Sequence, residues 1–163
     1  MTRRHDRPAI LLAALAAAFP PLYGWAVRSM LRRNLARLWA GDPEPLLAAY
    51  AEDIHFVFPG RSSWAADVHG KQAVRRWLER FVRVGLRFEV HEILLDGPPW
   101  DTTACLWFTD RLASPDGQEV YENRGTIVAK IAWGKVRYYE VNEDTQKVEE
   151  LDEWLSAHAA GEA

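Results

Sequence analysis

The chain has little cysteine, no excess of basic charge and none of the short loops that mark phosphate or metal chemistry. Cys105 is its one cysteine among 163 residues, so no intramolecular disulfide and no cysteine-built metal site can form. It lies in the apolar run Thr103-Ala104-Cys105-Leu106-Trp107-Phe108, where a buried, inert thiol is expected. The formal net charge is -3, whereas a general nucleic-acid binder carries a basic surface, so no nucleic-acid partner is expected. No glycine-rich phosphate loop occurs, and no His-x-x-x-His spacing of the helical metal-ligand kind, so neither a metal nor a cofactor is expected. There is no internal repeat, and no low-complexity tract beyond an alanine-rich start.

What remains is rich in core-forming residues. Apolar residues make up 48% of the chain and eight are tryptophan, enough for one domain with a sizeable core. The stretch from Ala9 to Val27 holds nineteen residues without a charge, flanked by Arg3, Arg4 and Arg7 before it and Arg28, Arg32 and Arg33 after it. A spanning helix needs about 20 apolar residues, but Pro20 and Pro21 interrupt this run. A membrane-associated segment, a cleaved signal, a packed helix ending at Pro20-Pro21 and a translation start at Met30 all stay open. Residues 1–26 are therefore read as an N-terminal hydrophobic extension and 27–160 as the domain. The expected location is cytoplasmic, with membrane anchoring through residues 9–27 as the alternative.

Within the domain, Val27, Leu31, Leu35 and Leu38 recur at helical spacing, and Gly41 ends that helix. Asp42-Pro43 opens a second helix whose buried side is Leu46, Leu47 and Tyr50. A short strand follows, stopped by Pro59-Gly60, with Phe56 and Phe58 on one face and His55 on the other. Residues 61–70 read as a loop carrying Trp64, Asp67 and His69, and Lys71 to Val84 as a third helix with Val74, Trp77, Leu78, Phe81 and Val82 on one stripe. Strands are expected at Arg87–Leu95 and Thr102–Leu112, and then a long hairpin over Glu119–Thr145 turning at Gly134-Lys135. In that hairpin Tyr121, Asn123, Gly125, Ile127, Ala129 and Ile131 share the inward parity, as do Tyr139 and Val141 in the return strand. Asp144 caps a final helix with Val148, Leu151, Trp154 and Leu155 on its apolar side. Helices first and long antiparallel strands after them predict an α+β domain: a curved, mostly antiparallel sheet wrapped on helices, leaving a conical pocket.

The segment LARLWAGDPEPLLAAYAEDIHFVFPG resembles the opening of the nuclear transport factor 2-like superfamily, in its SnoaL-like, ketosteroid-isomerase-like branch. The matching elements are Ala40-Gly41-Asp42, Tyr50-Ala51 with Asp53, and Pro59-Gly60; Gly134-Lys135 followed by Glu143-Asp144-Thr145 matches downstream. The resemblance covers about Val27 to His158. It implies the cone-shaped fold, but the superfamily holds isomerases, polyketide cyclases, epoxide hydrolases, dehydratases and non-catalytic binders, so it does not choose among them. The catalytic Tyr and two Asp of ketosteroid isomerases fall on Asn34, Phe58 and Ile127. The Arg and two Asp of limonene-epoxide hydrolases fall on Trp107, Thr109 and Val141. None of these residues can exchange a proton at neutral pH.

The alignment and strand parity together give an expected pocket lined by Phe56, Phe58, Trp64, Trp107, Thr109, Tyr121, Asn123, Ile127, Tyr139 and Val141. Such an aromatic lining suits a small hydrophobic or polycyclic ligand, with Asn123, Thr109 and Tyr139 to orient a carbonyl or hydroxyl. The same aromatics would also serve simply as core. The remaining acid–base candidates are Glu143 at the rim and Asp67 with His69 over the mouth. Two functions follow: a ligand-binding module lacking the usual catalytic groups, or a cyclase, isomerase or dehydratase acting on a small apolar carbonyl compound. Whether the chain is an enzyme stays open at this point. Relatives often dimerise through the outer sheet face, so a homodimer is a further expectation.

Overall fold

The longest strand of the computed structural model runs into one tight turn. The structure describes residues 7–159, with side chains from 21 to 158. β5 (Glu119–Ala132) and β6 (Lys135–Glu143) pair antiparallel, and Ala132 lies opposite Lys135. The two residues between them, Trp133 and Gly134, both have positive φ, 51° and 75°. That geometry matches the right-handed twist of the flanking strands. The turn is thus Trp133-Gly134, one residue before the expected Gly134-Lys135.

The other elements are α1 (Arg7–Trp39), α2 (Glu44–Ala49), β1 (Tyr50–Phe58), β2 (Ala66–His69), α3 (Lys71–Val84), β3 (Arg87–Asp96), β4 (Thr102–Ala113) and α4 (Thr145–Ala159). One six-stranded sheet runs β2-β1-β6-β5-β4-β3. The β1–β6 pair is parallel and the others are antiparallel. The fold is α+β, a curved and unclosed sheet with the helices packed on its inner face. β2 is an edge strand where a loop was expected, and it pairs with the end of β1.

The helices pack for the reasons visible in their spacing. Val27, Leu31, Leu35 and Leu38 of α1, Leu46 and Leu47 of α2, and Val74, Leu78 and Phe81 of α3 are buried in one core with Phe56, Leu106, Phe108, Ile127 and Val141 of the sheet. Asn34, also buried, donates from Nδ2 to the Pro45 carbonyl at 3.1 Å and ties α1 to α2. Asp144 Oδ1 accepts from the Gln146 amide at 3.0 Å, capping α4.

α1 does not end at Pro20-Pro21 but runs through both. Its turns around Val27 are joined to the sheet. Thr102 Oγ1 donates to Pro98 O, which leaves it to accept from Tyr23 OH at 2.7 Å, and Arg28 Nε donates to Ile93 O at 3.2 Å. The division between residues 26 and 27 therefore falls inside a continuous helix, and the outer ends of the two expected ranges lie outside the described residues. Among the described residues no helix is long and apolar enough to cross a membrane.

Candidate functional site

Between the helices and the inner sheet face lies a small, mostly apolar cavity. Its wall is a relay of aromatic rings. Phe56 stacks on Tyr139 with centroids 5.7 Å apart, and Trp77 lies 5.0 Å from Phe56 and 5.5 Å from Phe58. Trp77 stacks on Phe81, Phe81 meets Phe88 edge to face, and Phe88 meets Phe108 the same way. Trp77 Nε1 donates to Trp64 O at 3.0 Å, which fixes the indole against the cavity. Ile127, Val141, Leu38, Leu46 and Leu78 complete the apolar lining.

Two carboxylates break that lining, Asp110 of β4 and Glu143 at the end of β6. Asp110 is 6% exposed. Burial raises its pKa, and hydrogen bonds from Tyr121 and Glu143 pull it partly back. Glu143 is raised further, first by burial and then by the negative charge of Asp110 beside it. Two like charges in one dry site cannot both form readily, so both carboxyls hold their protons to higher pH than they would in water. Asp110 Oδ1 and Glu143 Oε2 are buried with no hydrogen-bond partner among the described residues. Buried carboxyl oxygens without partners are costly and mark a place where another polar group belongs.

Behind the pair runs a fixed polar chain. Asn123 Nδ2 donates to Tyr121 OH at 3.1 Å and to Asp144 O at 2.9 Å, while its Oδ1 accepts from the Arg124 amide at 2.8 Å. Tyr121 thereby receives a hydrogen bond and directs its own proton to Asp110. Burial and the carboxylates hold the Tyr121 phenol well above its ordinary value, so it stays protonated as a donor.

The structure divides the expected lining. Phe56, Phe58, Ile127, Tyr139 and Val141 line the cavity. Tyr121 and Asn123 face inward but stand behind Asp110, with the Asn123 amide fully engaged. Trp64 is buried outside the cavity, edge-on to Trp77, with the Arg80 guanidinium 3.9 Å above its ring. Trp107 and Thr109 point the other way. Trp107 is 51% exposed on the outer face, and Thr109 hydrogen-bonds His91 there at 2.8 Å. The inward residues of β4 are Phe108 and Asp110, one position later. Asp67 and His69 are not a lid; they lie on the outer face of β2, where Asp67 Oδ1 meets His55 Nε2 at 2.7 Å.

Asp110 is the functional candidate that sequence reasoning missed. Its signal was in the hairpin: Tyr121 and Asn123 are inward, and Asp110 lies directly opposite Asn123, on the same face.

A SnoaL-like domain model matches residues 31–139 of the sequence. No curated protein matches it. Among solved structures, a nuclear transport factor 2-like protein of unknown function from Burkholderia pseudomallei superposes with a TM-score of 0.65 at 17% identity, covering 77% of this chain and 96% of that one. TerC, co-crystallised with polyporic acid, gives 0.64 at 18% identity over 78% of this chain and 98% of its own. A Kribbella flavida protein provisionally assigned as a ketosteroid isomerase gives 0.57 at 18% identity, over 72% of this chain and 77% of that one. At such identities the superpositions establish the shared fold alone.

Proposed function

The chain belongs to the SnoaL-like domain family, and on that footing we propose that its cavity performs general acid–base chemistry on a small, largely apolar compound carrying a carbonyl or hydroxyl oxygen. The reaction class is isomerisation, cyclisation or dehydration. The observation that carries this reading is the Asp110–Glu143 pair at the polar side of an aromatic cavity. Ionised Asp110 is the base, and protonated Glu143 is the acid that faces a substrate oxygen. A proton leaves a carbon next to the carbonyl for Asp110, the carbonyl π electrons move to oxygen, and Glu143 supplies the proton that oxygen then needs. Tyr121 steadies Asp110, and the aromatic wall excludes water and holds the ring system of the substrate.

A binding-only role is the second reading, favoured by the predominance of apolar side chains around the carboxylates. The TerC complex is a precedent in this fold for a bound small molecule.

The two separate in D2O. A panel of aromatic and alicyclic ketones is incubated with the protein and followed by NMR for exchange of the C–H beside the carbonyl. Exchange above the buffer rate is expected for some of them, falling about 10²–10⁴-fold in Asp110→Asn and in Glu143→Gln. Binding read from Trp77 fluorescence, against Trp77→Phe, without exchange or turnover of any compound would leave the binding role and overturn the catalytic one.

A further inference from the structure

On the outer face of the sheet, opposite the side that lines the cavity, the edge pair β1–β2 gathers a second set of polar side chains. His55 of β1 lies directly opposite His69 of β2, and the neighbouring pair is Val57 with Asp67. Residues two apart on a strand share a face, so Asp67 and His69 stand side by side and His55 faces them both. The two imidazoles stack with centroids 4.1 Å apart and planes 14° from parallel. His55 Nε2 lies 2.7 Å from Asp67 Oδ1. One ligand atom from each of the three residues falls within 4.8 Å of the other two.

We propose that His55, Asp67 and His69 form a binding site for a divalent transition-metal ion of the Zn²⁺ class on the β1–β2 edge. A metal held at about 2.0–2.2 Å from nitrogen and oxygen ligands places them about 3.3–3.6 Å apart in a tetrahedron. The His55–Asp67 contact, at 2.7 Å, is shorter than that, and all three ligand atoms lie within 4.8 Å of one another. Asp67 and His69 are exposed and His55 is only half-buried, so small side-chain rotations bring the atoms in without moving the backbone. Two imidazoles and one carboxylate favour zinc, nickel or copper over magnesium and calcium, which require oxygen ligands.

A simple ion pair does not account for the arrangement. It uses His55 and Asp67 but gives the stacked imidazole of His69 no role. A metal takes both rings neutral and uses all three groups. Tyr138 flanks the site, its ring 5.3 Å from that of His55, and its hydroxyl donates to Glu140, so a further carboxylate lies on the same face. The three protein ligands leave a fourth position open to water or an exogenous ligand.

The test is calorimetric titration of the full chain with ZnCl₂, and with CoCl₂ to read the geometry from its visible d–d bands. One equivalent should bind, and Co²⁺ should give tetrahedral or five-coordinate bands. His55→Ala and His69→Ala should each weaken binding at least about tenfold, and together abolish it. Circular dichroism checks that these surface variants remain folded. Asp110→Asn with Glu143→Gln should bind the metal as the parent does, which separates this site from the cavity carboxylates. Absence of stoichiometric binding at 100 µM metal, roughly the weakest affinity of interest, would overturn the proposal, as would binding unchanged in the double histidine variant.

Discussion

Gly125→Ala is the smallest substitution that tests how the carboxylate pair is built. Gly125 lies opposite Phe108 on one side and Glu143 on the other. A Cβ at this position would come within 2.5 Å of Asn142 O, 2.8 Å of Glu143 Cβ and 2.8 Å of Phe108 Cζ. The conformation of Gly125 is ordinary for a strand, so the cost is one of space. Alanine recovers about 0.5–1 kcal/mol by lowering the entropy of the unfolded chain. Against this stands overpacking, which costs about 1–3 kcal/mol. The upper end applies here, because the closest atom is a backbone oxygen of the β5–β6 ladder and cannot rotate away. The net loss is about 2 kcal/mol, or a fall in Tm of about 4–8 °C for a domain of this size. Thermal and urea unfolding followed by circular dichroism measures it. The same clash pushes Glu143 away from Asp110, so the proposed acid–base activity should fall along with the stability. An alanine variant as stable as the parent would refute the claim that β5 must lack a side chain there.

Other expectations follow from the same geometry. Asp110 and Glu143 have folded-state pKa values raised to about 6 and about 9. Raised carboxyl values mean that their contribution to stability is full below the unfolded pKa near 4 and is lost as pH rises through the folded values. The urea midpoint should therefore fall from about pH 4 up to about pH 9, and Glu143→Gln should flatten the part of that fall above pH 6; an equal slope in both proteins would count against a raised Glu143 value. Asn123→Leu should cost about 2–4 kcal/mol, since Tyr121 OH, Asp144 O and the Arg124 amide lose their partner; a loss below 1 kcal/mol would show that water replaces the amide. Trp77→Ala should cost about 3 kcal/mol, whereas Trp107→Ala, on the outer face, should change stability by no more than about 0.5 kcal/mol. Reversal of that order in chemical denaturation would reverse the assigned facing of β4.

The legibility of the strands depended on how one-sided their apolar residues are. In β5, Ile127, Ala129 and Ile131 alternate with Thr126, Val128 and Lys130, and the inward face could be read directly. In β4 both parities are apolar: Cys105 and Trp107 on one, Leu106 and Phe108 on the other. The expected facing of β4 therefore comes from the alignment to limonene-epoxide hydrolases, and that alignment sits one residue out of register with the strand. Such a slip moves every side chain to the opposite face, and that is how Trp107 and Thr109 took the places of Phe108 and Asp110. The edge strand β2 was hidden differently. Ala66–His69 is four residues long and half polar, and only its pairing with β1 makes the Asp67-x-His69 spacing a shared face.

That single-residue slip decides the chemistry of the cavity. With Thr109 inward the pocket holds no deep carboxylate and suits a passive binder; with Asp110 inward it holds a carboxyl group whose burial must be compensated. The sheet supplies the compensation from the strand beyond the neighbour. Asp110 on β4 and Glu143 on β6 flank β5, which separates them by two strand spacings, about 9.5 Å between the outer backbones. Side chains from those strands can meet only if the residues of β5 beneath them leave room or take part. Gly125, opposite Glu143, leaves room. Asn123, opposite Asp110, takes part by holding the tyrosine that hydrogen-bonds the aspartate. The alternation that places Gly125 and Asn123 inward on β5 is thus the same feature that brings two carboxyl groups into one apolar cavity, where burial raises the pKa of both.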